Sequence, residues 1–139
     1  MEHLIGAQRL VVEGDLAVST VHGSTGVEEV RRILEIYESI IAQHGRYGCL
    51  VFSSAMERMP PEVRQLIARW PHSNACYGVA LVGASFAMRT ATGLIMRALY
   101  LIGVTKAPTE YFKTEGEARA WLQTCRQQAI AAASPQHRP

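Results

Sequence analysis

The chain has few cysteines and little net charge, and each shortage excludes a class of protein. Its 139 residues include three cysteines, an odd number, so a disulfide framework does not explain its folding. Charged residues make up 19% of the sequence and the formal net charge is +2, too small for a nucleic-acid-binding surface. We therefore expect a reduced, cytoplasmic protein without a nucleic-acid partner.

Neither a signal peptide nor a membrane span is indicated. The first six residues lack the basic and apolar regions of a secretory signal. The most apolar stretch runs from Phe86 to Val104 and contains Arg89 and Arg97, whose charges are costly in lipid. This stretch predicts a core helix in a soluble protein.

Motifs that carry chemistry are also lacking. No serine lies in a Gly-x-Ser-x-Gly elbow, and no Gly-Lys-Ser or Gly-Lys-Thr sequence forms a phosphate loop. The residues that could bind zinc are not spaced two to four apart as in structural zinc sites; they are His22, His44, His72, Cys49 and Cys76. We therefore predict no catalytic residues, no cofactor and no metal site.

What the sequence does contain is an alternation of strand and helix patterns after an N-terminal hairpin. Runs from Gln8 to Val12 and from Leu16 to Val21 favour strands, and Gly14 between them can take the positive φ of a tight turn. Continuous apolar runs predict buried strands from Tyr47 to Phe52 and from Cys76 to Val82. Such alternation is typical of an α/β domain.

Helix signals lie between these strands. Thr25 and Glu28 have the spacing of a capping box, and Gly45 ends the apolar periodicity that follows. Pro60 and Pro61 can begin a second helix, Phe86 to Ile102 form a third, and Thr114 with Glu117 caps a fourth after a short strand at Tyr111–Phe112. We predict one domain over residues 1–130 and a disordered tail over 131–139. The predicted core includes Ile33, Leu34, Leu50, Val51, Leu81, Leu94 and Trp121.

The chain resembles the SpoIIAA-like family, which is related in fold to the STAS domains of anti-sigma factor antagonists and to Sec14-type domains. The likeness covers Leu10 to Leu122 and is most specific at Tyr111-Phe112 and Glu117-Ala118-Arg119-Ala120-Trp121-Leu122. The strand exit Val82-Gly83-Ala84-Ser85 also fits. The resemblance implies a mixed five-stranded sheet in a single layer, covered by about four helices. It implies a regulatory or binding role and not catalysis.

One feature of the STAS antagonists is not present. They carry a phosphorylatable serine in Asp-Ser-Ser-Gly at the start of the helix after the central strand, and this chain has Met59-Pro60-Pro61-Glu62 there. The phosphorylation switch therefore does not transfer to this position. Ser53 and Ser54 lie just upstream and are alternative sites of phosphorylation, although turn formation also explains them.

The long helix from Phe86 to Ile102 has two faces. Its apolar positions exceed a single core stripe, while a second face mixes residue types that are enriched at protein interfaces. That face comprises Arg89, Gly93, Met96, Arg97 and Tyr100. A solvated helix with scattered large residues explains the same pattern.

Three function hypotheses follow. The first is a non-enzymatic regulatory module that binds a protein partner or a second copy of itself through the Arg89–Tyr100 face. The second is a carrier of a small apolar or lipid-like ligand, because the same helix has more apolar positions than the core needs. The third is an enzyme. It ranks last because acid-base catalysis needs a pair of titratable residues close together, and the spacing in the sequence places no such pair.

Overall fold

A six-stranded mixed sheet is the centre of the fold in a computed structural model, which describes residues 2–6, 8–23, 25–56, 60–83 and 107–133. The strands are β1 (Glu2–Ile5), β2 (Gln8–Glu13), β3 (Leu16–Gly23), β4 (Tyr47–Met56), β5 (Cys76–Val82) and β6 (Thr109–Phe112). They lie side by side in chain order. The pairs β1–β2 and β2–β3 are antiparallel, and the pairs from β3 to β6 are parallel.

Three α-helices lie in the described part of the chain: α1 (Val27–His44), α2 (Pro61–Arg69) and α3 (Glu115–Ala133). A short 3-10 helix, Ser73–Ala75, leads into β5. Helices α1 and α2 follow β3 and β4 and pack with one apolar cluster, whereas α3 packs with the other. The sheet therefore carries helices on both faces, as its buried parallel strands require.

Two apolar clusters form the core. One lies between the sheet and helices α1 and α2 and contains Leu34, Tyr47, Cys49 and Val63. The other lies under α3 and contains Leu50, Tyr77, Ala80 and Leu122. Among the residues predicted for the core, Leu34, Leu50 and Leu81 are buried, whereas Ile33, Val51 and Trp121 are partly buried. Leu94 lies outside the described residues.

The predicted α/β class is confirmed, but the sheet has six strands and not five. The additional strand is β1, which pairs with β2 in register Glu2↔Val11 to Ile5↔Gln8. Its four residues show no apolar alternation, and its place in the sheet depends on the pairing with β2. Strand β5 has the predicted bounds, whereas β4 continues past Phe52 to Met56.

Helix ends agree with the sequence signals in most places. Gly45 caps α1 with φ of 75°, and the Thr114 hydroxyl accepts a hydrogen bond from the Glu117 amide at 3.3 Å. Helix α1, however, is capped by Gly26 and not by Thr25. The Thr25 hydroxyl instead accepts a hydrogen bond from the buried side chain of Gln8 at 3.0 Å.

Two predictions concern residues near or beyond the described ranges. Helix α3 continues to Ala133, three residues into the stretch that was expected to form a tail. The helix predicted over Phe86–Ile102 lies outside the described residues. Of the helices that are described, none has the length and apolar composition needed to span a bilayer.

Candidate functional site

A groove lies between the β2–β3 turn and helix α3, at the end of the sheet where the parallel strands begin. Its volume is about 320 Å³. The turn provides Glu13, Gly14, Asp15 and Leu16, strand β5 provides Tyr77, and α3 provides Arg119, Leu122, Gln123 and Arg126. We call this set the hairpin–helix groove. Its α3 residues recur at three- to four-residue intervals, so they share one helix face.

Asp15 is the buried charge of the groove. Its side chain is only 6% exposed, and the turn that carries it is made possible by Gly14, whose φ is 61°. The carboxylate accepts a hydrogen bond from the Tyr77 hydroxyl at 3.0 Å and another from Nε of Arg126 at 2.8 Å. A buried carboxylate needs such partners because ionised groups are costly to remove from water.

Tyr77 reaches Asp15 by passing over Gly48. A Cβ atom at position 48 would collide with the Tyr77 ring and hydroxyl, so the close approach of the ring requires glycine there. The Gly48 amide also donates to the Asp15 carbonyl oxygen at 3.0 Å. Strands β4 and β5 thereby fix the position of the turn.

The outer end of the groove contains a second ion pair. Both terminal nitrogens of Arg119 donate to the Glu13 carboxylate, at 3.0 and 3.1 Å, in a bidentate arrangement. Nε of Arg119 donates to Glu115 at 2.7 Å, one helical turn earlier on α3. This pair is exposed, so it fixes geometry more than it stabilises the fold.

The electrostatics of the groove favour the ordinary charge states of Glu13, Tyr77 and Arg126. The hydrogen bond from Arg119 lowers the pKa of Glu13, and the hydrogen bond to Asp15 raises the pKa of Arg126. Burial, followed by the negative charge of Asp15, raises the pKa of Tyr77. Near neutral pH the tyrosine therefore keeps its proton and the arginines stay charged. Such groups bind and orient a ligand, whereas proton transfer needs a pKa near the working pH.

A second group of polar side chains is buried on the opposite side of the sheet. Cys49 and Cys76 lie on β4 and β5, and the pKa of Cys76 is raised by its hydrogen bond to Cys49 and by burial. All three cysteines, Cys125 included, are free thiols. Across the described ranges, no three His, Cys, Asp or Glu side chains are grouped as a metal would require.

The structure describes only some of the site residues that the sequence predicts. Arg89, Gly93, Met96, Arg97 and Tyr100 fall outside the described residues. The backbone of Ser53 and Ser54 belongs to the last part of β4, so these residues extend the strand and do not begin a turn. At the position of the STAS phosphoserine, Pro60 caps α2 and Pro61 begins it.

The groove residues were not predicted. Asp15 lies between the two predicted hairpin strands, and its tyrosine partner is 62 residues away in sequence. One signal was present: Gly48 interrupts a buried apolar run, which indicates a close approach by another group. Nothing local identifies that group as Tyr77.

The sequence of the chain matches a family model. The model described as SpoIIAA-like matches residues 16–123, which include Leu16, Tyr77, Arg119, Leu122 and Gln123 of the hairpin–helix groove but neither Asp15 nor Arg126. No curated protein matches the chain.

A solved structure has a similar fold. It is an uncharacterized protein from Shewanella loihica PV-4, of the DUF3478 family, with a SpoIIAA-like fold. The match covers 84% of this chain and 92% of that chain, with 17% sequence identity and a TM-score of 0.62. At this level of identity the likeness concerns the fold alone.

Proposed function

The chain belongs to the SpoIIAA-like family, and from this premise we propose that it is a non-enzymatic regulatory module that binds a protein partner. The observation that carries the proposal is the pairing of charged side chains in the hairpin–helix groove. Its two carboxylates, Glu13 and Asp15, are both held by arginines. Paired charges around an open groove suit recognition of a polar surface.

A second copy of the chain is the partner that we test first. The association surface proposed for it is the face predicted on the 86–102 helix, because arginine, tyrosine and methionine are frequent at interfaces. Its residues are Arg89, Gly93, Met96, Arg97 and Tyr100. Native mass spectrometry of the full chain tests the proposal, with a dimer as the expected species.

The carrier hypothesis predicts a different result in the same experiment. An apolar ligand would add mass to the monomer and would be recovered by organic extraction. The hairpin–helix groove does not favour it, since four of the nine described residues that line it are charged. A monomer that carries extractable lipid would contradict the protein-binding proposal.

We further propose that regulation does not use a phosphoserine at the start of α2. Pro60 and Pro61 provide neither a hydroxyl nor an amide hydrogen at that helix terminus. Ser53 and Ser54, in β4, are the alternative sites. Incubation with kinases and ATP followed by phosphosite mapping tests this, and a phosphate at either serine that changed association would place the switch in β4.

A further inference from the structure

The charges around Asp15 do not balance. Nε of Arg126 lies 2.8 Å from one oxygen of this carboxylate, and a terminal nitrogen of Arg46 lies 3.8 Å from the same oxygen. Two guanidinium groups therefore share one negative charge. Tyr77 adds a hydrogen bond to Asp15 but no charge.

The outer end of the groove has the opposite imbalance. There, within the part of the chain that the structure describes, Arg119 is the single cation between the Glu13 and Glu115 carboxylates. Arg119 and Arg126 are seven residues apart on α3, which corresponds to about 10 Å along the helix axis. The groove is thus dipolar, with its positive end at Asp15, where Arg126 lines the groove and Arg46, which is not among the named lining residues, lies 3.8 Å from the same carboxylate.

The arginines at the positive end retain unused donors. Among the described residues, no acceptor lies within hydrogen-bond distance of the Arg46 guanidinium, and Arg126 uses only its Nε. Their side chains are 31% and 36% exposed, so a ligand in solution can reach both. The planar fork of a guanidinium matches a carboxylate in two parallel hydrogen bonds.

We propose that Arg46 and Arg126 together bind a carboxylate of the partner protein, from an aspartate or glutamate in the segment that enters the hairpin–helix groove. This inference rests on the proposed function and names the chemistry of its partner. A second carboxylate beside Asp15 gives each of the two guanidinium groups a counter-charge. It also reduces the repulsion between them.

The test uses the full chain and a defined probe, acetyl-Gly-Glu-Gly-Glu-Gly-amide, titrated at low salt while arginine Nε–H signals are followed by NMR. The matched peptide with glutamine in place of glutamate is the uncharged control. We expect the acidic peptide alone to shift the Arg46 and Arg126 signals, and added salt to weaken its binding.

Variants localise the binding. Arg46→Gln removes the guanidinium for which the described residues provide no hydrogen-bonded partner, so the Asp15 pair with Arg126 is retained. We expect it to weaken binding of the peptide by about tenfold or more, as for a lost charge-assisted hydrogen bond. Arg69→Gln, on the exposed end of α2, removes the same charge elsewhere and is expected to bind like the wild type. If Arg46→Gln fails to fold, the NMR shifts of Arg46 and Arg126 in the wild type and the peptide affinity of Arg46→Lys test the site instead.

Each contrary outcome has a distinct meaning. Equal binding by the wild type, Arg46→Gln and Arg69→Gln, or equal binding of both peptides, would overturn the carboxylate site. Inorganic phosphate that bound these arginines more tightly than the peptide would overturn the choice of a carboxylate. Neither result would affect the proposed function, which fails instead if the chain neither self-associates nor binds a protein partner.

Discussion

At the scale of single residues, Gly48 decides whether the groove can form. The Tyr77 ring occupies the space that any side chain at position 48 would need. Strands β4 and β5 pack closely here because residue 48 has no side chain. The sequence shows the glycine, but it does not show that the Tyr77 ring packs against it.

Gly48→Ala is expected to reduce the free energy of unfolding by about 1 to 3 kcal/mol, the usual cost of overpacking a core. Gly116→Ala is the matched control, because position 116 lies in α3 and a Cβ there meets nothing within 4 Å. That variant should be neutral or more stable by up to about 1 kcal/mol. Urea denaturation measures both, and equal stabilities would contradict the packing role of Gly48.

Tyr77 predicts a dependence of stability on alkaline pH. Burial and the Asp15 charge raise its pKa in the folded protein above the ordinary tyrosine value of about 10. A group with a raised folded pKa stabilises the fold fully below its unfolded pKa, and this contribution is lost as the pH rises through the folded pKa. The free energy of unfolding should therefore fall above about pH 10.

Tyr77→Phe isolates this contribution, since Tyr37 and Tyr47 also have raised pKa values. The variant should be less stable near pH 8, where the hydrogen bond to Asp15 is lost, and should lose less stability above pH 10 than the wild type. Denaturation at several pH values tests this. Parallel stability curves for the two proteins would exclude Tyr77 as the source.

At the scale of elements, the β2–β3 turn holds α3 against the sheet through an inner and an outer ion pair. The inner pair, Asp15 with Arg126, has a buried carboxylate, whereas Glu13 and Arg119 are both well exposed. Coulomb attraction is screened less in the interior, and an unpaired buried charge is costly. The two pairs should therefore differ in their effect on stability.

Asp15→Asn should destabilise the fold by about 1.5 to 3 kcal/mol, the range for hydrogen bonds to a charged group, because Arg126 and Arg46 lose their shared anion. Glu13→Gln should cost less than about 1 kcal/mol, the usual value for an exposed pair. Thermal or urea unfolding followed by circular dichroism compares the two variants. A larger loss for Glu13→Gln would reverse the proposed order of the ion pairs.

Elements with a local signal were predicted from the sequence, and those that depend on distant partners were not. Apolar periodicity that ends at Gly45 predicts helix α1, and a continuous apolar run predicts strand β5. Strand β1 depends on pairing with β2. The N-cap of α1 is Gly26 and not Thr25, whose hydroxyl accepts a hydrogen bond from Gln8. The groove joins residues from three separate elements, so no single stretch of sequence contains its pattern.

At the scale of the whole molecule, the proposed association has two candidate surfaces. An open sheet has two edge strands, and exposed edges can pair with another chain. On the β1 edge Leu4 is 71% exposed, the most exposed of the large apolar side chains among the described residues. The other surface is the predicted face of the 86–102 helix.

Two variants of the full chain distinguish these surfaces. Arginine and aromatic anchors at an interface contribute about 2 kcal/mol or more each, so Tyr100→Ala combined with Arg97→Glu should weaken a dimer beyond detection at micromolar concentration. Leu4→Ser should leave the dimer intact, because an isolated exposed leucine is common on protein surfaces. Analytical ultracentrifugation reports the assembly, and circular dichroism confirms the fold of each variant. Dissociation by Leu4→Ser alone would move the interface to the β1 edge, where backbone pairing and not the arginine and tyrosine anchors would hold the two copies together.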